Sequence, residues 1–102
     1  MAPIDSGTPF SETATHATAA VASHTGVAGK TFYVTNVTVS SDKAGAIGII
    51  KQGTTAIWQF QVGAAVQSIS FQVPLRGASG ALVSVEIDGT SACKANISGF
   101  EL

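Results

Sequence analysis

From Gln67 to Leu102 the chain reads QSISFQVPLRGASGALVSVEIDGTSACKANISGFEL, three runs in which apolar residues recur at every second position, joined by two glycine-rich turns. Period-two alternation is the mark of half-buried strands, because successive side chains point to opposite faces of a sheet. Ile69, Phe71 and Val73 share one parity against Ser68, Ser70 and Gln72. Val83, Val85 and Ile87 oppose Leu82, Ser84 and Glu86, and Cys93, Ala95 and Ile97 form a third row. The closing Gly-Phe-Glu-Leu run is expected to pair inside a sheet, since an unpaired apolar end would fray.

Upstream the same grammar continues. Thr31 to Ser40 carries Phe32, Tyr33, Val34, Val37 and Val39, all good strand formers. Its apolar parity switches around Asn36, which a bulge there explains, because one inserted residue exchanges the two faces. Ile47 to Lys51 is a short strand, returned by Gln52-Gly53-Thr54 into Ala56 to Val62, where Trp58, Phe60 and Val62 alternate with Gln59 and Gln61. Val27-Ala28-Gly29 and Asp42 to Gly45 are turns, Leu75 to Gly80 is a loop, and Asp88-Gly89 signals a hairpin. Thr13 to Ser23 reads as a strand or extended edge, from its β-branched threonines in period two. Pro74 stops its strand or sets it at an edge. Residues 1–10, with Pro3, Gly7 and Pro9, form an extended N-terminal arm, and residues 11–102 a single domain. Seven to eight short strands at even spacing predict an all-β fold: one antiparallel, jelly-roll-like β-sandwich. Its expected core is Phe32, Val34, Ile47, Ile49, Trp58, Phe60, Ile69, Phe71, Val83, Val85 and Ile97.

The 102 residues are 45% hydrophobic and only 11% charged, with a net charge of −1. About 25% charged residues is usual, so this surface is solvated mainly by Ser, Thr, Gln and Asn. Low charge lowers the cost of desolvation on docking, which points to a chain covered by partners, including copies of itself. The five cations, Lys30, Lys43, Lys51, Arg76 and Lys94, are scattered. Nucleic-acid binding needs them clustered, and none is expected. No apolar run reaches the length of a membrane span, and the Met-Ala-Pro-Ile-Asp start lacks the pattern of a signal peptide. Cys93 has no partner for an internal disulfide, which fits assembly in a reducing cytoplasm.

Candidate chemistry is sparse. A metal site needs three or four suitable ligands, and His16 and His24 are the only histidines. They are read as surface or interface hydrogen-bonding groups, and around a symmetry axis as contacts of an oligomer. A nucleophile, base and acid can be written down from Cys93 or a serine, a histidine, and Asp42 or Asp88. No local catalytic signature accompanies them, and no enzyme activity, cofactor or metal is expected. Trp58 belongs in phase with Phe60 in the core; on the outer face it would be a sugar-stacking platform. Arg76, the only arginine, sits between Pro-Leu and Gly and is the preferred docking residue, since Arg is enriched at interfaces.

Three stretches, GKTFYVTNVTVSS, AGAIGIIKQGTTAIWQFQV and FQVPLRGASGALVSVEIDGTSACKANISGFEL, together resemble the small β-sandwich virion proteins of tailed bacteriophages, especially capsid decoration (cement) proteins. The Pro-Leu-x-Gly loop and the terminal NISGFEL carry most of the likeness, which extends over nearly the whole chain after residue 25. The resemblance implies a homotrimer, made in the host cytoplasm, seated on the capsid surface and clamping neighbouring subunits of the major capsid protein. It brings no residue motif to transfer. On this reading Ile4 and Phe10 of the arm, with Arg76, contact the capsid, and His16 and His24 face the trimer. The rival readings are a tail-fibre or receptor-binding head domain recognising a host glycan, a neck or head–tail joining subunit, and a cellular carbohydrate-binding module.

Overall fold

The alternating runs resolve into eight strands in the described residues, 8–62 and 66–102, of the computed structural model. They are β1 (Thr8–His16), β2 (Ala19–His24), β3 (Thr31–Ser41), β4 (Ala46–Gln52), β5 (Thr55–Val62), β6 (Val66–Ser79), β7 (Val83–Asp88) and β8 (Cys93–Glu101). Two four-stranded antiparallel sheets form, in the orders β1-β8-β3-β6 and β2-β7-β4-β5. The pairing is nested. β4 pairs with β5, β3 with β6, β2 with β7 and β1 with β8, as though one long hairpin ribbon had been wrapped on itself. The joins β3·β8 and β4·β7 then complete the sheets. This wrapping is a jelly roll, so the expected sandwich is what the chain forms.

The core lies between the sheets. Phe32, Val34, Val37, Val39, Ile50, Val83, Val85, Ile87, Cys93 and Ile97 are almost fully buried there. Each large side chain among them contributes roughly 1.5–3 kcal/mol by leaving water. In β3 both parities reach the core because the register slips between Val34 and Asn36, leaving Thr35 as an extra residue. Its hydroxyl is turned to the carbonyl of Ser98 at 3.3 Å. The expected bulge near Asn36 is therefore present.

Five expectations change. β1 begins at Thr8, so Thr8 to Phe10 pair with Phe100 and its neighbours in β8 instead of extending an arm. The Thr/Ala stretch is two strands, β1 and β2, which belong to different sheets. The core face of β4 is Ala46, Gly48 and Ile50, while Ile47 is exposed and Ile49 half-buried. Gly48 is the cause, since a Cβ there would lie 2.4 Å from the Phe60 ring, so the ring occupies the place of a side chain. β6 runs on to Ser79, and Arg76 is a strand residue opposite Tyr33, not a loop residue. Gly77, which reads as a loop signal, is instead required because a Cβ would fall 1.9 Å from the Phe32 ring. Finally, Asp88-Gly89 does not turn a hairpin. β7 and β8 lie in different sheets, and the segment crosses between them.

Candidate interaction surfaces

The two sides of the sandwich are finished differently. Along the β1–β2 side, Phe10 is 8% exposed and stacks on the His24 imidazole, with ring centroids 4.2 Å apart and planes 5° from parallel. His24 Nε2 lies 2.8 Å from Glu101 Oε1, and His24 Nδ1 lies 3.6 Å from Glu12 Oε2. Glu101 is 4% exposed, and its Oε2 is buried without a hydrogen-bond partner. A half-buried histidine between two carboxylates, capped by an aromatic ring, thus pins β2 of one sheet to β1 and β8 of the other. Phe10 is part of this seal and cannot be an arm residue reaching a shell. His24 faces its own chain. His16 is exposed, and its Nδ1 accepts hydrogen bonds from the amides of Thr18 and Ala19, 3.1 Å each, closing the β1–β2 turn. Ile4 lies outside the described residues.

The opposite side, between β5 and β6, is open. Of the side chains described in these two strands, none is buried. Val73 is 83% exposed, Val66 69% and Trp58 42%. Trp58 points to the same side of its sheet as Ile50, its partner in register, after a slip that makes Ile57 the extra residue of β5. It meets Phe71 of β6 edge-on, with centroids 5.4 Å apart. Trp58 thus shares a parity with Phe60 as expected, but the sandwich gapes there and the indole is left at its mouth. Ile57, Phe60, Ile69 and Phe71 are likewise only partly covered. Arg76 is the one charged residue in the sequence of either strand. A neutral side with exposed β-branched and aromatic residues invites association with another chain through its apolar surface.

The outer faces also differ. On the β1-β8-β3-β6 sheet, the cross-strand rows are polar, with Lys94 exposed in the row between Thr15 and Ser40 and uncharged rows beside it. Asn96 donates to Thr13 Oγ1 at 2.8 Å, Thr38 and Ser68 hydroxyls meet at 2.8 Å, and Asn36 donates to Ser70 Oγ at 3.0 Å. At one end of this face Tyr33 and Phe100 stack at 5.0 Å, and the exposed Arg76 guanidinium lies 6.0 Å from the Tyr33 centroid. The two rings spend faces on each other. On the β2-β7-β4-β5 sheet, Ala19, Val21, Ile47 and Ile49 line a shallow groove of about 270 Å³. Its rim holds two ion pairs, Lys51–Glu86 at 3.0 Å and Lys43–Asp88 at 2.6 Å.

At the end of the sandwich two aspartates organise the crossing loop. Asp42 accepts hydrogen bonds from the Thr90 and Ser91 amides, 2.8 Å each, and from the Ser91 hydroxyl. These bonds, the Ser91 hydroxyl foremost, hold its carboxyl well below the usual carboxylate range. Asp88 is lowered chiefly by the hydrogen bond from Lys43 and also accepts from the Ile47 amide at 3.2 Å. Both candidate acids therefore serve the turn that β7 needs to reach the other sheet. Cys93 is buried, with its thiol 3.2 Å from the His16 carbonyl. Of the constellation written from sequence, Cys93 and Asp42 line one shallow cleft and His16 pairs with Cys93 in register, but the His16 Nδ1 is taken by the Thr18 and Ala19 amides and the Asp42 carboxylate by those of Thr90 and Ser91. Among the described residues no three His, Cys, Asp or Glu side chains are placed to hold a metal ion.

The open side, the groove and the seal had no local signal in the sequence. His24 and Glu101 stand 77 residues apart, and only the nested pairing brings them together. Exposed Val73 and Val66 look like core residues until the sheet order places β6 at an edge.

No protein-family profile and no curated protein matches the chain in sequence. Among solved structures, it is similar to a chain of the virus-like particle of the extra small virus of the giant freshwater prawn Macrobrachium rosenbergii. The identity is 9% and the TM-score 0.34, over 93% of this chain and 79% of that one. It is also similar to part of dimeric latent PorU from Porphyromonas gingivalis, at 8% identity and a TM-score of 0.40, over 91% of this chain but only 13% of PorU.

Proposed function

We propose that this chain is a structural virion protein without enzyme activity, which binds the outside of a bacteriophage capsid as a homo-oligomer, a trimer in the simplest case, and stabilises the shell by clamping neighbouring capsid subunits. One observation carries the reading: the β5–β6 side of the jelly roll exposes Trp58, Val66 and Val73 beside the partly covered Phe71, on strands that hold a single charge. A free domain exposing such an edge would aggregate, whereas an assembly subunit has it covered. The sequence resemblance to capsid decoration proteins supplies the kind of assembly. Several weak contacts on one rigid oligomer add through effective concentration, which is how a small neutral protein grips a shell. In this arrangement residues 1–7, with Ile4, and the exposed Arg76 meet the major capsid protein. Phe10, His16 and His24 hold the subunit itself together.

The test is copy number. Purified particles of the parent virus are quantified by mass spectrometry for this chain relative to the major shell protein. Abundance on the scale of the shell protein is expected. A handful of copies per particle moves the assignment to a fibre or neck role, and absence from particles removes the virion reading. Deletion of residues 1–7 is expected to weaken shell binding and leave the oligomer intact.

A further inference from the structure

Two of the exposed apolar surfaces on the described part of the molecule differ in shape. One is the ridge along the β5–β6 side, topped by Trp58, Phe71 and Val73. The other is the groove on the outer face of β2, β7 and β4, lined by Ala19, Val21, Ile47 and Ile49. We propose that copies of this chain assemble head to tail, the β5–β6 ridge of one seated in the β2-β7-β4 groove of the next. The inference rests on the self-associating reading above and adds which two surfaces meet.

Charge favours this pairing. The ridge is uncharged through β5 and from Val66 to Leu75. The groove's two carboxylates, Glu86 and Asp88, already carry Lys51 and Lys43. Seating one on the other buries no unpaired charge and opposes no like charges.

The alternative is two ridges meeting edge to edge across a two-fold axis. It is disfavoured by β6 itself. Between Val34–Leu75 and Asn36–Ser70 the register jumps, so Phe71 to Pro74 bulge away from the ladder. A bulge with a proline blunts an edge against strand addition. Edge-to-edge pairing would also leave Val21 and Ile47 bare. The head-to-tail contact joins the side of the sandwich where both sheets end, β5 of one and β6 of the other, to the outer face of the β2-β7-β4-β5 sheet in the next copy. Those two surfaces look in roughly perpendicular directions, so each contact turns the next copy and the series can close into a small ring.

The experiment uses the full chain and two single substitutions at exposed positions, Val73→Asp on the ridge and Val21→Asp in the groove. Molar mass is read by light scattering across a concentration series, with circular dichroism confirming the wild-type fold. The wild type is expected to be oligomeric and each variant monomeric, with self-affinity weakened about 100-fold or more by the buried unpaired charge. The mixture decides. Val73→Asp keeps a sound groove and Val21→Asp a sound ridge, so equimolar mixing should yield a heterodimer and nothing larger. If Val21→Asp assembles like wild type, or if the mixture stays monomeric, the head-to-tail pairing is wrong while self-association stands. A wild type that is monomeric throughout the series overturns both.

Discussion

Gly77→Ala is the substitution whose consequence is set most directly by the fold. A Cβ at residue 77 would lie 1.9 Å from Phe32 Cε2 and 2.0 Å from Cζ, whereas ordinary van der Waals contact begins near 3.4 Å. The ring must therefore retreat by well over an ångström. Phe32 is 1% exposed and sits in the core with Val34, Val83 and Val85, and close-packed interiors give way poorly. Overpacking of this kind costs about 1–3 kcal/mol, and a clash this deep belongs at the upper end, about 3 kcal/mol. For a domain of this size that lowers Tm by roughly 12–24 °C. Phe32→Ala alone leaves a cavity and costs about 3–5 kcal/mol. In the double variant the new methyl group enters the emptied space, so the two losses should fall short of their sum by about 2–3 kcal/mol. Urea unfolding of the four proteins measures this coupling from the midpoints and a common slope. Additivity to within about 0.5 kcal/mol would show that the ring does not fill the place of the missing side chain, and the reasoning for Gly77 would fail.

Three further outcomes are expected. His24→Ala removes the partner of the buried Glu101 carboxylate and the ring under Phe10, and should cost about 3 kcal/mol, whereas Glu101→Gln, which keeps shape and a hydrogen bond, should cost less; equal losses in urea unfolding would remove the pairing argument. Asp42 and Asp88 are lowered in the folded state relative to the unfolded chain, so their contribution is complete above the ordinary aspartate value of about 3.9 and disappears as pH falls through the folded values. Asp42→Asn should therefore destabilise most near neutral pH, and the gap between its urea midpoint and that of the wild type should narrow under acid conditions; a gap independent of pH would contradict the sign. Cys93, buried against the His16 carbonyl, should be inert to an aromatic disulfide reagent in the native protein and react fully in denaturant, and rapid native labelling would place the thiol elsewhere.

The strands that could be read from sequence are those whose two faces differ in polarity. β7 and β8 alternate cleanly, and Val83, Val85, Cys93, Ala95 and Ile97 are buried as their parity requires. The parity switch in β3 was legible for the same reason. β4, AIGIIKQ, misleads because both faces carry isoleucine and its core-facing centre is a glycine. Nothing local says that Phe60 will lie over Gly48. Gly77 misled in the same manner, since a glycine that clears space for a distant ring looks identical to one that permits a turn. β1 and β2 escaped because alanine and threonine carry too little hydrophobic contrast. The groove, the ridge and the His24–Glu101 seal depend on which strands end up as neighbours. That information resides in sheet order, which no window of sequence contains.

The nested pairing also fixes a timetable. β8 lies between β1 and β3, yet it is the last of the eight strands to leave the ribosome. Until it arrives, β1 has no neighbour in its sheet and β3 lacks one of its two. The other sheet, β2-β7-β4-β5, has all its members earlier. Synthesis at about 5–20 residues per second thus leaves a half-built sandwich exposed for seconds, and contacts between chain-distant strands form slowly even afterwards. Assembly into any larger structure must wait for β8.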